Sequence, residues 1–374
     1  MTRRPRVLLV GPFPPTKGGI TTFMLNLISS PLASEFDFVP YTTSRPPKKD
    51  VIDNYGYSAI LRGGIRRLLV GVALTAFRWM RLPATLIGRN IDLVQVHASD
   101  YQVFWEGVAY VCMAQLFGRP AVLRLGGHFD HFYESSSSLG RWCIRRALKA
   151  PRILIIQSNF VRDFVHRAGR EKGVLVLPNW FRDPVEERRR SSYDRPPVCL
   201  FVAGTEAVRK GIEDVVGAMS RLDKSGNRTK FHILALTPPL IEQVLGLKLS
   251  NVSVLEGPVE HGRVLECMRL CDIFLLPSRG EGFPNSLVEA MATGMPSIVT
   301  PVASVPEMVS DGGAITIPMK DTAALVLAIE TLAQDADLRW QMGQDAQRTI
   351  RSRYTADIVL PSLAAAYRGL LPVR

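Results

Sequence analysis

The sequence has few cysteines and no long, uninterrupted apolar run. Its five cysteines form no CxxC pair and are odd in number, which argues against a closed disulfide framework. The longest apolar run, Leu68 to Met80, is interrupted by Arg78 and is too short to span a bilayer. The run behind the basic first residues, Val7 to Val10, is too short for a secretory leader. We therefore expect a reduced protein that stays inside the cell.

Two common nucleotide-binding motifs are also missing. The segment from Gly11 to Gly18 is similar to a phosphate-binding NTPase loop, but Thr16 replaces the second glycine and Gly18 replaces the hydroxyl residue after Lys17. No GxGxxG follows any of the expected strands, which argues against a dinucleotide-dependent dehydrogenase. Neither an NTPase loop nor a nicotinamide dehydrogenase is therefore supported by the sequence.

The composition is that of an ordinary globular protein. The chain has 374 residues, of which 47% are hydrophobic and 21% are charged. A single hydrophobic core stops growing at roughly 250–300 residues, so the length predicts two domains.

The charge is concentrated in one half of the chain. Residues 1–182 hold 25 Lys and Arg against 11 Asp and Glu, whereas residues 183–374 hold 21 against 23. The net charge of +12 therefore belongs to the first half. This asymmetry indicates an anionic partner for that half, namely a phospholipid surface, a nucleic acid or a phosphorylated acceptor.

Short β-rich runs alternate with helical stretches along both halves. This alternation predicts α/β architecture with two doubly wound, Rossmann-like domains facing across a cleft. We expect a basic first domain at 1–182, a polar, proline-containing linker at 183–197, a second domain at 198–355 and a C-terminal helical segment at 356–374 that packs back on the first domain. Within the helical pattern of 335–374, Pro361 is expected to interrupt the helix.

The most informative stretch runs from Ile273 to Thr300. A buried strand is followed by a glycine loop that contains Glu281 and by a helix that starts near Pro284. The free amides of Asn285, Ser286 and Leu287, together with the helix dipole, predict a phosphate site. Glu281 and Glu289 are then expected to bind hydroxyl groups, as a nucleotide-sugar requires. Taken alone, two carboxylates at this spacing are more often simply exposed to solvent.

Taken whole, the string from Glu281 to Ala292 resembles the E-x7-E signature of the retaining glycosyltransferases of family 4, which have the GT-B fold. Other segments resemble family motifs in the same order. These are the glycine loop Gly11–Ile20, the strand Asp92–His97, the segment Leu177–Asn179 and the loop Gly204–Gly211.

The resemblance implies a role for each matching residue. Glu281 contacts hydroxyls of the donor sugar, Glu289 holds the ribose, and Lys210 neutralises the departing diphosphate. Gly18 and Gly19 let the backbone approach that diphosphate. The implied donor-binding set is Gly18, Gly19, Arg209, Gly282, Phe283, Asn285, Ser286, Leu287 and Glu289. The family needs no metal and no cofactor besides its nucleotide-sugar substrate, and it assigns no conventional nucleophile.

The chain departs from the family pattern in two places. Thr205 stands where Arg usually follows the glycine of the donor loop, and Arg209 is a candidate to supply that charge. In the first domain, Leu125 occupies the usual histidine position, while His128 occupies the position of an acid. Either His128 takes over the sugar contact, or the acceptor chemistry has changed. The implied catalytic set is Glu281, Lys210 and His128.

A basic and apolar stretch from Arg62 to Arg81 allows two interpretations. Its broad apolar face, its arginines and Trp79 resemble an interfacial membrane helix. The alternative is a core helix with basic ends.

These observations predict a retaining, metal-independent glycosyltransferase, in particular a hexosyltransferase. It would move a sugar from a nucleotide-diphosphate sugar to a lipid-linked or surface-glycan acceptor, in the cytoplasm or on the inner membrane face. An anionic membrane surface is an expected partner and a nucleic acid is not, since no recognition motif is present. The alternative function is a catalytically silent sugar-nucleotide-binding or glycan-binding subunit. The sequence names neither the sugar, the nucleotide, the acceptor nor the oligomeric state.

Overall fold

The computed structural model describes residues 3–16, 18–44, 64–188, 195–257 and 259–372, without the side chains of 64–68 and 205. Lys17, the middle of the expected linker and the start of the basic apolar stretch lie outside these residues. The chain divides into two compact units, one formed by Met1–Arg182 with Ala356–Arg374 and the other by Asp183–Thr355.

The first unit is a parallel sheet with helices on both faces. Its strands are β1 Arg6–Gly11, β2 Asp37–Thr42, β3 Leu93–Ala98, β4 Ala121–Leu125, β5 Ile153–Ile156 and β6 Val174–Val176. Its helices are α1 Gly19–Ile28, α2 Gly64–Gly88, α3 Tyr101–Leu116, α4 Phe129–Glu134, α5 Ser138–Ala147 and α6 Asn159–Arg167, together with the C-terminal helix α14 Ala356–Leu370. The strand order is β2-β1-β3-β4-β5-β6, and every neighbouring pair is parallel.

The C-terminal helix belongs to the first unit because it covers one face of that sheet. Leu363 and Tyr367 are buried in the same hydrophobic cluster as Val7 and Leu9 of β1. The Tyr367 hydroxyl also donates a hydrogen bond to the side chain of Gln95 in β3. The expected interruption at Pro361 is wrong, since α14 runs through this residue. Pro361 has no backbone N–H, so the helix lacks one hydrogen bond there. Burial of neighbouring apolar side chains such as Leu360 and Leu363 offsets the free energy of this loss.

The second unit repeats the same architecture. Its strands are β7 Val198–Val202, β8 Lys230–Leu236, β9 Val252–Glu256, β10 Ile273–Leu276, β11 Ser297–Val299 and β12 Ala314–Thr316. Its helices are α7 Ile212–Lys224, α8 Pro238–Gly246, α9 His261–Leu270, α10 Asn285–Ala292, α11 Val305–Met308, α12 Thr322–Gln334 and α13 Ala336–Arg353. The strand order is β12-β11-β10-β7-β8-β9, again with parallel neighbours.

The predicted fold class is confirmed, since both units contain a six-stranded parallel sheet flanked by helices. The β-rich runs of the sequence did not predict β2 or β12. Both are edge strands, and β12 has only three residues, none of them buried. The three residues of β12 have a weak hydrophobic pattern, and β2 contains Pro40, a residue that argues against a strand in a sequence.

Candidate functional site

Two loops meet at the carboxyl edge of the second sheet. One follows β7 and contains Arg209 and Lys210, and the other follows β10 and contains Glu281. Because β7 and β10 are parallel neighbours, both loops leave the sheet at the same edge. The amide of Arg279 donates to the carbonyl of Arg209 at 2.8 Å, which joins the loops directly.

Glu281 lies at the centre of this junction and is 7% exposed. One carboxylate oxygen accepts a hydrogen bond from Ser278 Oγ at 2.8 Å, and the other lies 3.2 Å from the guanidinium of Arg209. Arg209 also pairs with Glu206 and donates to the carbonyl of Gly280. Burial lowers the pKa of Arg209, but Glu281 and Glu206 together raise it by more. The net shift of this pKa is therefore upward. The charge of Arg209 is therefore engaged by two carboxylates.

Lys210 follows Arg209 in the chain, but its environment differs from that of Arg209. Its Nζ donates to the carbonyl of Val202 at 3.1 Å, and no carboxylate of the described residues pairs with it. Lys210 is also near Glu289, whose side chain is 15% exposed. Burial raises the pKa of Glu289 to about 8, although the positive charge of the nearby Lys210 lowers this pKa. His261 Nδ1 lies 3.8 Å from Glu289. The structure thus brings Lys210, Glu281 and Glu289 together in one unit.

Helix α10 begins at this junction. Pro284 caps the helix in an extended conformation and Asn285 is the first helical residue. The amide of Leu287 donates to the Pro284 carbonyl at 3.1 Å, so the expectation that this amide is free is wrong. The reason is a tight first turn, in which an i to i−3 bond replaces a ligand contact. For the Ser286 amide, the described residues provide no acceptor.

Gly282 and Phe283 fix the loop that carries Glu281. Ser304 Oγ donates to the Gly282 carbonyl at 2.7 Å. Phe283 is buried, and its ring contacts Tyr354 edge-on with centroids 5.6 Å apart. Phe283 therefore anchors the loop in the interior of the unit.

The expected residues of the first unit lie at the carboxyl edge of the first sheet. Gly18 caps α1 at a φ of 147°, and Gly19 begins that helix; both are exposed. His128, half-buried, caps the short helix α4 after β4. A Cβ atom at Gly126 would lie 3.6 Å from Ile20, so the loop before His128 and the start of α1 are neighbours. The structure thus brings Gly18, Gly19 and His128 to one region of the first unit.

A buried polar cluster lies beneath that edge. Arg124 of β4 is 1% exposed; its guanidinium donates to Asn179 at 2.7 Å and stacks 3.6 Å above the ring of Phe23. Burial lowers the pKa of Arg124 to about 9. Burial, then the charge of Arg124, hold the pKa of His97 well below its usual range, so His97 is neutral at pH 7. His97 is thus a core histidine, bonded to Gln95 at 2.7 Å.

Several residues that complete the site carried no sequence signal. Ser278, Glu206 and His261 contact site residues, yet each is a common polar residue in a loop or at a helix start. Among the described residues, no group of three or more His, Cys, Asp or Glu is placed to hold a metal ion. No described helix is both long and apolar enough to cross a membrane.

Comparisons with known proteins identify this arrangement. The family model of the group 1 glycosyl transferases matches residues 196–335, which include the loops with Lys210, Glu281 and Glu289. The chain is 33% identical over 284 residues to the N,N'-diacetylbacillosaminyl-diphospho-undecaprenol alpha-1,3-N-acetylgalactosaminyltransferase of Campylobacter jejuni, covering 71% of this chain and 74% of that protein. It is 24% identical over 281 residues to the alpha-D-kanosaminyltransferase of Streptomyces kanamyceticus, covering 69% and 72%.

The fold is shared with a solved glycosyltransferase structure. Sucrose-phosphate synthase from Thermosynechococcus elongatus matches with a TM-score of 0.78 at 15% identity, covering 98% of this chain and 99% of that one. Two parallel six-stranded sheets with flanking helices correspond to the GT-B architecture. The chain is therefore a glycosyltransferase of the GT-B type and belongs to the family of the group 1 glycosyl transferases.

Proposed function

We propose that this enzyme is a retaining, metal-independent transferase that uses a nucleotide-diphosphate sugar. The observation that carries the proposal is the grouping of Lys210, Glu281 and Glu289 beside the start of α10. A helix N-terminus and a nearby cation that has no carboxylate partner among the described residues favour a diphosphate. Two carboxylates favour hydroxyl groups.

The proposed roles follow from the contacts. Lys210 stabilises the negative charge that develops on the diphosphate as the bond from the sugar C1 to the phosphate oxygen breaks. The acceptor hydroxyl forms the new bond to C1, and its proton passes to the departing diphosphate. Arg209 and Ser278 hold Glu281 in position toward the sugar hydroxyls. Arg209 is thus a positioning residue, because its own charge is engaged by Glu281 and Glu206.

The acceptor is proposed to be lipid-linked or part of a surface glycan. The Campylobacter relative is named for a diphospho-undecaprenol acceptor, which favours a lipid-linked one here. The exposed face of α2 supports the same conclusion. Leu69, Phe77, Met80 and Ile87 follow each other at helical spacing and are exposed, Met80 to 71%. Leu82 and Leu86, on the opposite side, are buried in the core.

This exposed stripe favours membrane association over the alternative of a core helix. Arg81 and Arg89 are exposed beside it, and residues 1–182 carry the excess of positive charge. An apolar stripe flanked by arginines is suited to an anionic membrane surface. We therefore propose that the enzyme associates peripherally with a membrane that holds its acceptor.

The catalytic proposal is tested by substitution and product analysis. A thermal-shift screen with UDP-, GDP- and ADP-sugars first identifies the donor. Lys210→Ala is expected to lower kcat about 10²–10³-fold, and Glu289→Ala to weaken donor binding about 10–100-fold. Lys224→Ala, at an exposed cation on α7, is the control and should leave turnover unchanged. Unchanged turnover in both site variants would overturn the assignment.

Two further measurements test the finer parts of the proposal. The product's anomeric configuration, measured by NMR, should equal that of the donor; an inverted product would disprove retention. Turnover should be the same with and without a chelator of divalent metals, and a loss in the chelator would disprove metal independence.

A second candidate is a binding subunit without catalysis. It is favoured by Leu125, which is buried in the core cluster and offers no polar contact where the family has histidine. This candidate predicts donor binding without transfer or hydrolysis. Detection of sugar transfer by the wild-type protein would exclude this candidate. His128→Ala then tests the enzyme itself, since it lowers transfer only if His128 has taken over the sugar contact.

A further inference from the structure

The first unit contains a cavity of about 940 Å³ that none of the residues discussed above line. Its walls come from the segments that precede β4, β5 and β6 and from the end of α14. The charged residues among those that line it are Arg119, Lys149, Arg152, Arg170, Glu171 and Lys172. Since the strands are parallel, these segments lie at the amino edge of the sheet, opposite to Gly18 and His128.

The lining is strongly basic. It holds five cationic side chains and the single carboxylate of Glu171, a net charge of +4. Arg119, Lys149, Arg152 and Lys172 have no ion-pair partner among the residues that the structure describes. Helices α3, α5, α6 and α14 end at this edge, and each C-terminus contributes about −0.5 charge. These four dipoles offset about 2 of the 4 positive charges, so the cavity stays positive.

The walls are held in place by Arg170, which is buried. Its guanidinium donates to the carbonyls of Pro151 at 3.0 Å, Arg152 at 3.3 Å and Gly173 at 3.0 Å, and also to that of Leu148. Gly173 has a φ of +66°, and a Cβ there would lie 2.8 Å from the carbonyl oxygen of Arg152. Arg170 is therefore structural, and it fixes the backbone on which the other cations are displayed.

We propose that this cavity binds a phosphate-bearing ligand, with a diphosphate as the matching chemistry. Four cations without ion-pair partners suit a group that carries several charges better than a single carboxylate. The Nε of Arg119 is buried and lacks a hydrogen-bond partner among the described residues. Leu116, 83% exposed, and Phe117 precede the lining residue Gly118. This apolar rim suits a phosphate that is attached to a lipid as well as a free one.

The test compares two double variants with the same change in net charge. Lys149→Glu with Lys172→Glu reverses two exposed cations of the cavity, and Lys224→Glu with Arg228→Glu reverses two exposed cations of the second unit. Inorganic pyrophosphate is titrated calorimetrically into each full-length protein. We expect a binding component that weakens about tenfold or more in the cavity variant and is kept in the control. Circular dichroism and thermal unfolding verify that both variants fold.

A vesicle arm separates the two sources of phosphate. The same proteins are sedimented with vesicles of phosphatidylcholine, with and without phosphatidylglycerol. A deficit of the cavity variant on anionic vesicles alone assigns the cavity to a lipid headgroup, and a deficit with pyrophosphate alone assigns it to a free ligand. No deficit in either arm relative to the control overturns the proposal. Because Lys210→Ala reports the donor site, failure here is distinguishable from failure of the proposed function.

Discussion

Gly211 packs so closely on the carbonyl of Pro277 that the Cβ atom of any other residue would overlap it. Its φ of 86° is in the left-handed region, which side chains with a Cβ disfavour. This contact lies directly after Lys210 and at the end of β10. It therefore sets the distance between the loop with Arg209 and Lys210 and the loop with Glu281.

Gly211→Ala is accordingly expected to lower the free energy of unfolding by about 2–4 kcal/mol, from steric overlap and backbone strain together. Transfer activity should fall further than the folded fraction does, because Lys210 is displaced. The matched control is Gly246→Ala, where a Cβ has no neighbour within 4 Å and no strained φ. Urea unfolding of the two variants checks the difference; equal stabilities would contradict it.

The buried carboxyl of Glu289 should make stability depend on pH. Its pKa is raised to about 8, mainly by burial and despite Lys210. Between the ordinary value of 4.5 and about 8, the unfolded chain is ionised at this residue while the folded chain binds a proton. Raising the pH through this window therefore favours unfolding. Glu289→Gln is neutral throughout and should lose this decline, which urea unfolding at several pH values measures. Parallel pH curves for the two proteins would refute the burial argument.

Ser278 is expected to act through Glu281. Ser278→Ala removes the hydrogen bond to the carboxylate, and the expected loss of kcat is about tenfold with little change in donor binding. Ser304→Ala removes a hydrogen bond to the same loop, at Gly282, without touching Glu281, and serves as the control. A similar loss of kcat in both variants would indicate general loosening of the loop, contrary to this prediction.

The exposed face of α2 should govern membrane retention. Replacing Phe77 and Met80 by Ser is expected to reduce binding to anionic vesicles at least about tenfold, since each buried apolar side chain contributes about 1.5–3 kcal/mol. Wild-type binding should also fall as salt rises. Replacing the exposed Leu270 and Leu327 of the second unit by Ser is the matched control. Equal retention of both variants, or equal binding to neutral vesicles, would argue against this surface.

Much of the fold could be predicted from the sequence because its signals are local. Alternating strands and helices predict the two parallel sheets, and the glycine loop followed by Pro284 predicts the start of α10 to within one residue. The spacing of Glu281 and Glu289 is likewise a local property. The Leu287 amide was misjudged because the tightness of a first helical turn depends on backbone detail that no residue type specifies.

The sequence by itself determined most of the strands and helices and the spacing of Glu281 and Glu289 in the candidate site, since hydrophobic periodicity and helix-start signals act over a few neighbouring positions. The tertiary structure alone decided that Arg209 pairs with Glu281 and that Tyr367 bonds to Gln95. It also decided that the apolar stripe of α2 is exposed. These outcomes depend on strand order and on which helix covers which face, and distant segments settle them by burying their apolar surfaces together.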